Sequence, residues 1–295
     1  MDTFKIIGAL PMSERIAVLK KEMLDEPRYA TIEQARIITK SYRQTEEQPR
    51  CIQRAKALKA ALEEMTIRIE PHERIVGNRT PGVRGGVVFP ETGASWVDRE
   101  FETLPTRPQD RFQIHQEDVA EFRSEILPYW QGRSLEDRVR EAVGPQVDAI
   151  SKVVKINQKD HSQGHICPNT RKWLALGPDG IRRQALDHMA GAAGKQKDFY
   201  ESVVVTMEGA CRFISRYAEL ARSMYEQTGR ENLREVAEIC KKLAVSPAQT
   251  YQEAVQAVWF LYVILQMEGN ASSFSPGRMD QYLYPYFTHS RAHGM

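Results

Sequence analysis

The chain has 295 residues, of which 41% are apolar and 27% charged, a composition typical of a soluble globular protein that can bury a large core. Its 41 basic and 39 acidic side chains leave a formal net charge of only +2, which gives no electrostatic reason to expect nucleic acid or an anionic membrane as a partner. Residues 1–10 lack the basic start and long apolar core of a secretory signal.

Helices dominate the elements that the sequence predicts. Residues 13–26 carry apolar side chains at helical spacing, and Thr31 with Gln34 forms a capping-box pattern that predicts the start of a second helix. Pro49 suits a first helical turn, and apolar spacing continues that helix to Met65. Further helices are predicted near residues 95–103, 116–128, 134–142, 179–191, 197–227, 229–243 and 248–267.

Residues 67–90 interrupt the helical pattern. Short β-branched pieces alternate there with proline and glycine, which predicts a loop with short extended segments. The glycines and arginines of residues 73–91 could bind phosphate through backbone amides. However, this stretch has neither the Gly-Lys-Ser/Thr ending of a P-loop nor the strand and helix that flank a GxGxxG motif. The favoured interpretation is a tightly packed connection whose turns require glycine.

A second unusual segment contains His161, His165 and Cys167, which could ligate a metal ion. Gly164 and Pro168 argue against a regular helix that would bring the two histidines together. A structural metal site also needs a fourth ligand nearby, so we expect no metal here. Two interpretations of His165 stay open: an acid–base or hydrogen-bonding group in a pocket, and a buried histidine with satisfied hydrogen bonds.

A third unusual segment, residues 268–282, follows the longest apolar run of the chain. That run, 257–265, is about half of what a membrane-spanning helix needs, and it predicts a helix buried on all sides. Such a helix would deliver a polar, small-residue turn into the interior, where a polar substrate is one partner for its hydroxyls and amides. The alternative is a helix cap and turn in which Arg278 pairs with Asp280.

The four cysteines and the last aromatic residues complete the pattern. The cysteines lie far apart without a CxxC pair, which predicts reduced thiols in a cytoplasmic protein: Cys51, Cys167, Cys211 and Cys240. Four aromatic side chains within residues 282–287 need a cover, since compact domains rarely expose such a patch. We therefore expect the natural sequence to continue beyond residue 295.

Five motifs in register carry a family resemblance. Together, from about Ser13 to Tyr286, the chain resembles the glycyl radical enzymes. It is most similar to the B12-independent glycerol and diol dehydratase branch and its pyruvate formate-lyase-like relatives. The motifs are Glu73-Arg-Ile-Val-Gly-Asn78, Arg84-Gly-Gly-Val-Val-Phe-Pro-Glu91, Arg107-Pro-Gln-Asp-Arg-Phe112, Gln163-Gly-His165 and Ser275-Pro-Gly-Arg-Met-Asp-Gln-Tyr-Leu-Tyr-Pro-Tyr286.

The resemblance implies a ten-stranded β/α barrel surrounded by helices. This chain, predominantly α with a few short strands, would supply outer helices and the first barrel strand, so that residues 1–295 form the N-terminal part of a pyruvate formate-lyase domain. It also implies a homodimer without a bound cofactor and oxygen-sensitive, anaerobic chemistry. A backbone glycyl radical, installed by a separate iron–sulfur, S-adenosylmethionine-dependent activase, oxidises a cysteine to a thiyl radical. The thiyl radical abstracts hydrogen from substrate, and a neighbouring group leaves.

The resemblance also implies site residues. His165 matches the family histidine that contacts substrate hydroxyls and assists the leaving group. Asn270 and Ser273 match the Glu-x-Asn turn and the serine after it, which bind substrate. Ser272 stands where the glycerol enzymes have a histidine, which argues against glycerol itself.

Two family motifs are absent from these 295 residues. Neither a Gly-Cys-Val-Glu-like motif with the catalytic cysteine nor an Arg-Val-x-Gly-Tyr-like motif with the radical glycine occurs, and Cys167 and Cys211 have other neighbours. We therefore expect the chain alone to be inactive. The predicted function is that of the N-terminal portion of a glycyl radical lyase, which eliminates water or a similar leaving group from a small hydroxylated substrate such as a diol.

Other functions stay open at this point. Within the family they are formate C-acetyltransferase (pyruvate formate-lyase) activity, choline trimethylamine-lyase, isethionate sulfite-lyase, hydroxyproline dehydratase and decarboxylase activity. Outside catalysis, the chain could be a scaffold that uses this part of the fold for dimerisation or partner binding. A split enzyme, in which a second chain supplies the cysteine and the glycine, is the third alternative.

Overall fold

The computed structural model describes residues 12–154, 164–271 and 273–294, and within these ranges it is mostly helical. The prediction of a predominantly α chain with a few short strands is confirmed. A π-helical turn, Phe122–Ile126, joins α5 to α6, and the strands are β1 (Tyr29–Thr31) and β2 (Gly85–Val87). The helices are α1 (Glu14–Asp25), α2 (Glu33–Gln44), α3 (Arg50–Glu64), α4 (Pro90–Glu100), α5 (Gln116–Glu121), α6 (Leu127–Trp130), α7 (Leu135–Val143), α8 (Gln146–Ser151), α9 (Thr170–Met189), α10 (Gly194–Thr228), α11 (Glu231–Leu243), α12 (Tyr251–Gly269) and α13 (Met279–Ala292).

The first helices lie close to their predicted positions, but one predicted cap is wrong. Ser13 Oγ accepts a hydrogen bond from the Ile16 backbone N–H at 3.5 Å and caps α1. The capping box of Thr31 and Gln34 does not form, since Thr31 belongs to β1. The Gln34 side chain instead donates to the Met267 carbonyl of α12 at 2.7 Å. The Gln34 side chain therefore bonds to α12, a distant segment, instead of to the start of its own helix.

Residues 67–90 are mostly loop, as predicted, but with fewer extended pieces. Residues 67–69 and 75–76 are not strands, and only β2 pairs, parallel to β1, with Gly85 opposite Tyr29. An extended segment becomes a strand only where a partner backbone lies alongside it. Gly85 is also required for packing, because a Cβ there would lie 2.3 Å from Thr80 Oγ1. The packed-connection interpretation therefore agrees with the structure.

The core lies around α10, which packs against α3, α9 and α11. Phe213 and Tyr217 of α10 meet Phe260 of α12, with ring centroids 5.1, 5.9 and 5.4 Å apart, and all three side chains are fully buried. Gly209 allows α10 to approach α3 closely, since a Cβ there would lie 2.9 Å from the Lys59 Cα. This layer supports α12 and the turn that follows it.

Several helices differ from their predicted extents. α4 begins at Pro90 rather than near residue 95, because proline suits a first helical turn. The predicted helix 116–128 contains the π-helical turn, and α9 begins at Thr170 and continues through a kink at Gly177 (φ +64°). Asn169 starts α9 by accepting the Lys172 backbone N–H at 3.0 Å. α8 and α13 were not predicted.

The prediction that residues 257–265 are buried on all sides is wrong. Trp259 is 46% exposed, and Leu261 and Tyr262 are partly buried. The Trp259 indole N–H donates to the Gly77 carbonyl at 2.9 Å, so the open face of α12 lies against the glycine-rich loop. Within the described ranges, no helix is both long and apolar enough to cross a membrane.

The aromatic residues near residue 285 lie on α13. Tyr282 is buried in the core and Tyr286 packs against it, whereas Tyr284 is 63% and Phe287 44% exposed. The Phe287 ring meets that of Tyr251 edge to face, with centroids 5.7 Å apart. Two of these four rings, Tyr284 and Phe287, are therefore substantially exposed in the structure.

Candidate functional site

The polar turn singled out in the sequence follows α12. Thr250 Oγ1 accepts the Glu253 N–H at 3.3 Å, and the Glu253 carboxylate accepts the Thr250 N–H at 3.2 Å, a capping box that fixes the start of the helix. Asn270 ends the helix in the left-handed conformation (φ +44°, ψ +34°). The cap interpretation of this turn is confirmed, and so is the Arg278–Asp280 ion pair at 3.0 Å.

A charge cluster joins the end of α12 to α3. Arg54 Nε donates to the Glu268 carboxylate at 3.0 Å, and Arg54 Nη2 donates to the Glu268 carbonyl at 3.2 Å. Burial raises the pKa of Glu91 above its ordinary value, while the nearby charge of Arg54 and the Tyr42 hydroxyl, which donates to Glu91 at 2.5 Å, oppose that rise. The cluster therefore holds Glu268, in the last turn of α12 and two residues before Asn270, in place. No local sequence pattern indicates it, because its members come from distant segments.

The turn after α12 pairs with the segment that precedes α9. Ile166 and Phe274 form a parallel bridge. The His165 N–H donates to the Ser273 carbonyl at 2.6 Å, and the Ser275 N–H donates to the Ile166 carbonyl at 2.8 Å. These two bonds make His165 and Ser273 neighbours, although the four helices α9–α12 separate them in the chain.

Gly164 allows the two segments to approach. A Cβ at this position would lie 2.3 Å from the Ser273 carbonyl oxygen and 2.7 Å from the Ser273 nitrogen, closer than non-bonded carbon approaches those atoms. The glycine of the Gln-Gly-His motif is therefore required by backbone packing. Gly277 has a related role on the other side of the bridge, where a Cβ would lie 2.7 Å from Cys167 Sγ.

The structure brings two of the three predicted site residues together. His165 and Ser273 are both exposed, and Asn270, partly buried, lies at the other end of the same turn. Within the described ranges the His165 imidazole has no hydrogen-bond partner, so the interpretation of His165 as a buried, satisfied histidine is wrong. Its backbone has φ +61°, which costs a non-glycine residue on the order of 1 kcal/mol. The bond from His165 to Ser273 holds that conformation.

Two tyrosines hold the turn against the helices. The Tyr262 hydroxyl donates to the Ser275 carbonyl at 2.7 Å, and the Tyr282 hydroxyl donates to the Pro276 carbonyl at 2.8 Å. Burial raises the pKa of both phenols, so they stay protonated donors at neutral pH. Sequence reasoning did not assign these residues to the site, although Tyr282 stands in the fifth family motif.

The part of the chain that the structure describes contains no cluster of side chains suited to a metal ion. No three His, Cys, Asp or Glu side chains come together there. His161, Gln163 and Ser272 lie outside the described residues. The four cysteines are free thiols. Burial raises the pKa of Cys211 to about 11, and that of the fully buried Cys240 is raised as well.

Comparison with known proteins identifies the family. A family model described as pyruvate formate lyase-like matches residues 12–295. The chain is 32% identical over 295 residues to a probable dehydratase of Escherichia coli strain K12, a match that covers 94% of this chain and 36% of that protein.

Two solved structures have the same fold over this region. The glycerol-bound B12-independent glycerol dehydratase from Clostridium butyricum is 31% identical with a TM-score of 0.90, covering 96% of this chain and 38% of that one. A glycyl radical enzyme from Archaeoglobus fulgidus is 30% identical with a TM-score of 0.88, and the match covers 96% of this chain and 38% of that one. The chain thus spans between 36% and 38% of the length of these relatives. The resemblance seen in the sequence is confirmed, and this chain belongs to the pyruvate formate lyase-like family of glycyl radical enzymes.

Proposed function

We propose that this chain is the N-terminal part of a glycyl radical lyase that eliminates water, or a similar leaving group, from a small hydroxylated substrate such as a diol. The observation that carries the proposal is the backbone bridge between residues 164–166 and 273–275. It holds exposed His165 and Ser273 side by side without a partner for the imidazole among the described residues. A substrate with two hydroxyl groups is a suitable partner for that pair.

The two side chains have complementary roles in this proposal. A hydroxyl is a poor leaving group, and protonation or hydrogen bonding of its oxygen by an imidazolium lowers the barrier to its departure. His165 is the residue for that role, while the Ser273 hydroxyl binds the second substrate hydroxyl and orients the substrate. Asn270, at the beginning of the same turn, is proposed to bind substrate through its amide. The cluster of Arg54, Glu91 and Glu268 keeps this turn in place.

The names of the relatives support elimination rather than acyl transfer. One is described as a probable dehydratase, and another is a glycerol dehydratase solved with glycerol bound. Formate C-acetyltransferase activity is therefore the less favoured alternative. Ser272, where the glycerol enzymes have a histidine, still leads us to propose a substrate other than glycerol.

The rest of the family's machinery belongs to the proposal as well. Residues 1–295 would form the N-terminal part of a longer pyruvate formate-lyase domain and supply outer helices and the first strand of a ten-stranded barrel. The catalytic cysteine and the radical glycine would come from sequence outside these 295 residues, on the same polypeptide or a second subunit. We further propose a cytoplasmic homodimer that works anaerobically after activation by a radical S-adenosylmethionine enzyme.

The first experiment is the intact mass of the native polypeptide in its own organism. A mass well above 33.8 kDa indicates one long enzyme, and a mass of 33.8 kDa directs the search to a second subunit. The activated enzyme, whole or reconstituted with that subunit, is then assayed anaerobically with a panel of diols and polyols.

Matched variants test the site in that assay. His165→Gln is expected to lower kcat by about 10²- to 10⁴-fold, the usual contribution of a positioned acid, while His188→Gln, an exposed histidine of α9, leaves turnover unchanged. Ser273→Ala is expected to cost about 2- to 10-fold in kcat/KM, with the exposed Ser223→Ala as its control. Unchanged turnover of every diol and polyol by His165→Gln contradicts the proposed elimination.

A scaffold role is the second candidate, and the exposed rings of Tyr284 and Phe287 favour it. In that case the 295-residue chain folds as a monodisperse protein with a cooperative melt, and α13 contacts a partner. Aggregation or molten behaviour of the isolated chain favours the fragment of a lyase.

A further inference from the structure

A cavity of about 480 Å³ lies between the glycine-rich loop and the open face of α12, within the size range of small-molecule sites. Its apolar walls are the side chains of Trp259, Val83 and Val263. The polar groups at its rim come from the loop at Arg79 and from Gln266 on α12. The function proposed above does not use these residues.

Arg79 has no anionic partner among the residues that the structure describes. Its Nε makes one long hydrogen bond, 3.4 Å, to the Gln34 amide oxygen. Nη2 is buried and has no hydrogen-bond partner within the described ranges. Nη1 is accessible to solvent and has no partner there either. Burial lowers the pKa of this guanidinium to about 10. Because a partly buried cation without a counter-ion among the described residues is costly, an anion that reached Nη1 would be bound favourably.

Most of the other polar groups of the cavity are already bonded, although Arg68 Nε is buried without a hydrogen-bond partner among the described residues. The Tyr262 hydroxyl donates to Ser275 and the Trp259 indole N–H to Gly77, at 2.7 and 2.9 Å. The Asn78 N–H donates to the Tyr217 hydroxyl at 2.8 Å. The side-chain amide of Gln266, by contrast, has no partner among the described residues.

The charge of the cavity is positive. None of its described lining residues is acidic, and Arg68, the second arginine of the lining, is neutralised by Glu70 at 2.8 Å. One unpaired guanidinium edge and one free amide correspond to the two oxygens of a carboxylate. The apolar walls suit a hydrocarbon body rather than a hydrated ion.

We infer that this cavity is a binding site for a carboxylate with an apolar body, which accepts hydrogen bonds from Arg79 and Gln266 and packs against Trp259. Such a carboxylate has two sources: a free small acid, or a glutamate side chain of polypeptide that covers α12. The chemistry is the same in both cases, and the ligands used in the test distinguish them.

The test uses the 295-residue chain, or the complete polypeptide if the isolated chain does not melt cooperatively. The ligands are butyrate and benzoate as free acids and the blocked peptide Ac-Ala-Glu-Ala-NH2 as the side-chain source, with butyramide and inorganic phosphate as controls. Binding is followed by ligand-observed saturation-transfer NMR and by quenching of tryptophan fluorescence. Trp259 is 46% exposed and lines the cavity, whereas Trp130 and Trp173 are buried and Trp96 is partly buried outside the cavity lining. Trp259→Phe should therefore remove the quenching that a ligand in this cavity causes. Benzoate or butyrate binding more tightly than the peptide identifies a free acid, and the reverse order identifies a side chain.

Three variants locate the site. Arg79→Gln is expected to weaken carboxylate binding about tenfold or more, and Gln266→Leu to weaken it several-fold. Arg74→Gln, an exposed arginine of the same loop, leaves it unchanged. Gln266→Leu also provides the test if Arg79→Gln fails to fold. The inference is overturned if no carboxylate binds at millimolar concentration, if phosphate or butyramide binds as well as the acids, or if a folded Gln266→Leu chain binds them unchanged.

Discussion

Replacing Gly164 by alanine should separate the two segments that hold His165 beside Ser273. The backbone of Gly164 is not in the left-handed region, so the substitution acts only through the added carbon. That carbon would lie 2.3 Å from the Ser273 carbonyl oxygen, whereas real Cβ atoms essentially never lie closer than 3.0 Å to another heavy atom. The segments must therefore move apart, which breaks the bonds His165 N–Ser273 O and Ser275 N–Ile166 O.

The expected cost follows from those two bonds. At about 0.5–1.5 kcal/mol each, their loss destabilises the bridge by about 1–3 kcal/mol. Hydrogen exchange of the His165 and Ser275 amides, followed by NMR, should accelerate by about 5- to 150-fold. Gly191→Ala is the control, because a Cβ there meets nothing within 4 Å. Unchanged exchange at both amides in a folded Gly164→Ala chain would refute the reasoning.

Three further predictions follow from buried polar groups. Glu91 binds its proton more tightly in the folded chain than in the unfolded one, because its pKa is raised on folding. The free energy of unfolding should therefore fall as the pH rises from the ordinary pKa of a glutamate through the raised pKa of folded Glu91. Glu91→Gln should reduce this pH dependence of the free energy, measured by urea unfolding between about pH 4 and 7. Tyr217→Phe removes the hydroxyl that accepts the Asn78 N–H at 2.8 Å, and it should lower the free energy of unfolding in urea by about 1–3 kcal/mol. Tyr284→Phe, on an exposed side chain, is the control and should leave that free energy unchanged. A thiol reagent should modify two cysteines rapidly in the native chain and all four in denaturant; equal rates at all four would contradict the burial. The fast pair is Cys51 and Cys167, and the slow pair is Cys211 and Cys240.

The long amphipathic helices could be predicted from the sequence because their signal is local. α10 and α11 lie within a few residues of the predicted ranges, since apolar residues repeat at the helical period over several turns. β1 could not be predicted in the same way. It has three residues, and its strand character depends on β2, which lies beyond α2 and α3 in the chain.

The candidate site also has a part that the sequence indicates and a part that it does not. Gly164 and His165 belong to one family motif, and Asn270 and Ser273 match the family's Glu-x-Asn turn, so the resemblance could indicate which residues to examine. The contact between His165 and Ser273 is a backbone bond between segments far apart in the chain, and spacing does not encode it. Trp259 was predicted to be buried because its neighbours are apolar, but its side chain is 46% exposed. Arg79 has an ordinary place in a glycine-rich loop, and only the structure shows that the described residues around it include no partner for its Nη2.

The bridge between residues 164–166 and 273–275 has a consequence for the order of folding. It closes a chain loop that contains all of α9, α10, α11 and α12, and closing so long a loop costs entropy that two hydrogen bonds cannot repay alone. We therefore expect the helical layer to assemble first and the bridge between its two ends to form last. His165 and Ser273 become neighbours only in a chain whose scaffold is already complete, so a misassembled layer does not present the pair.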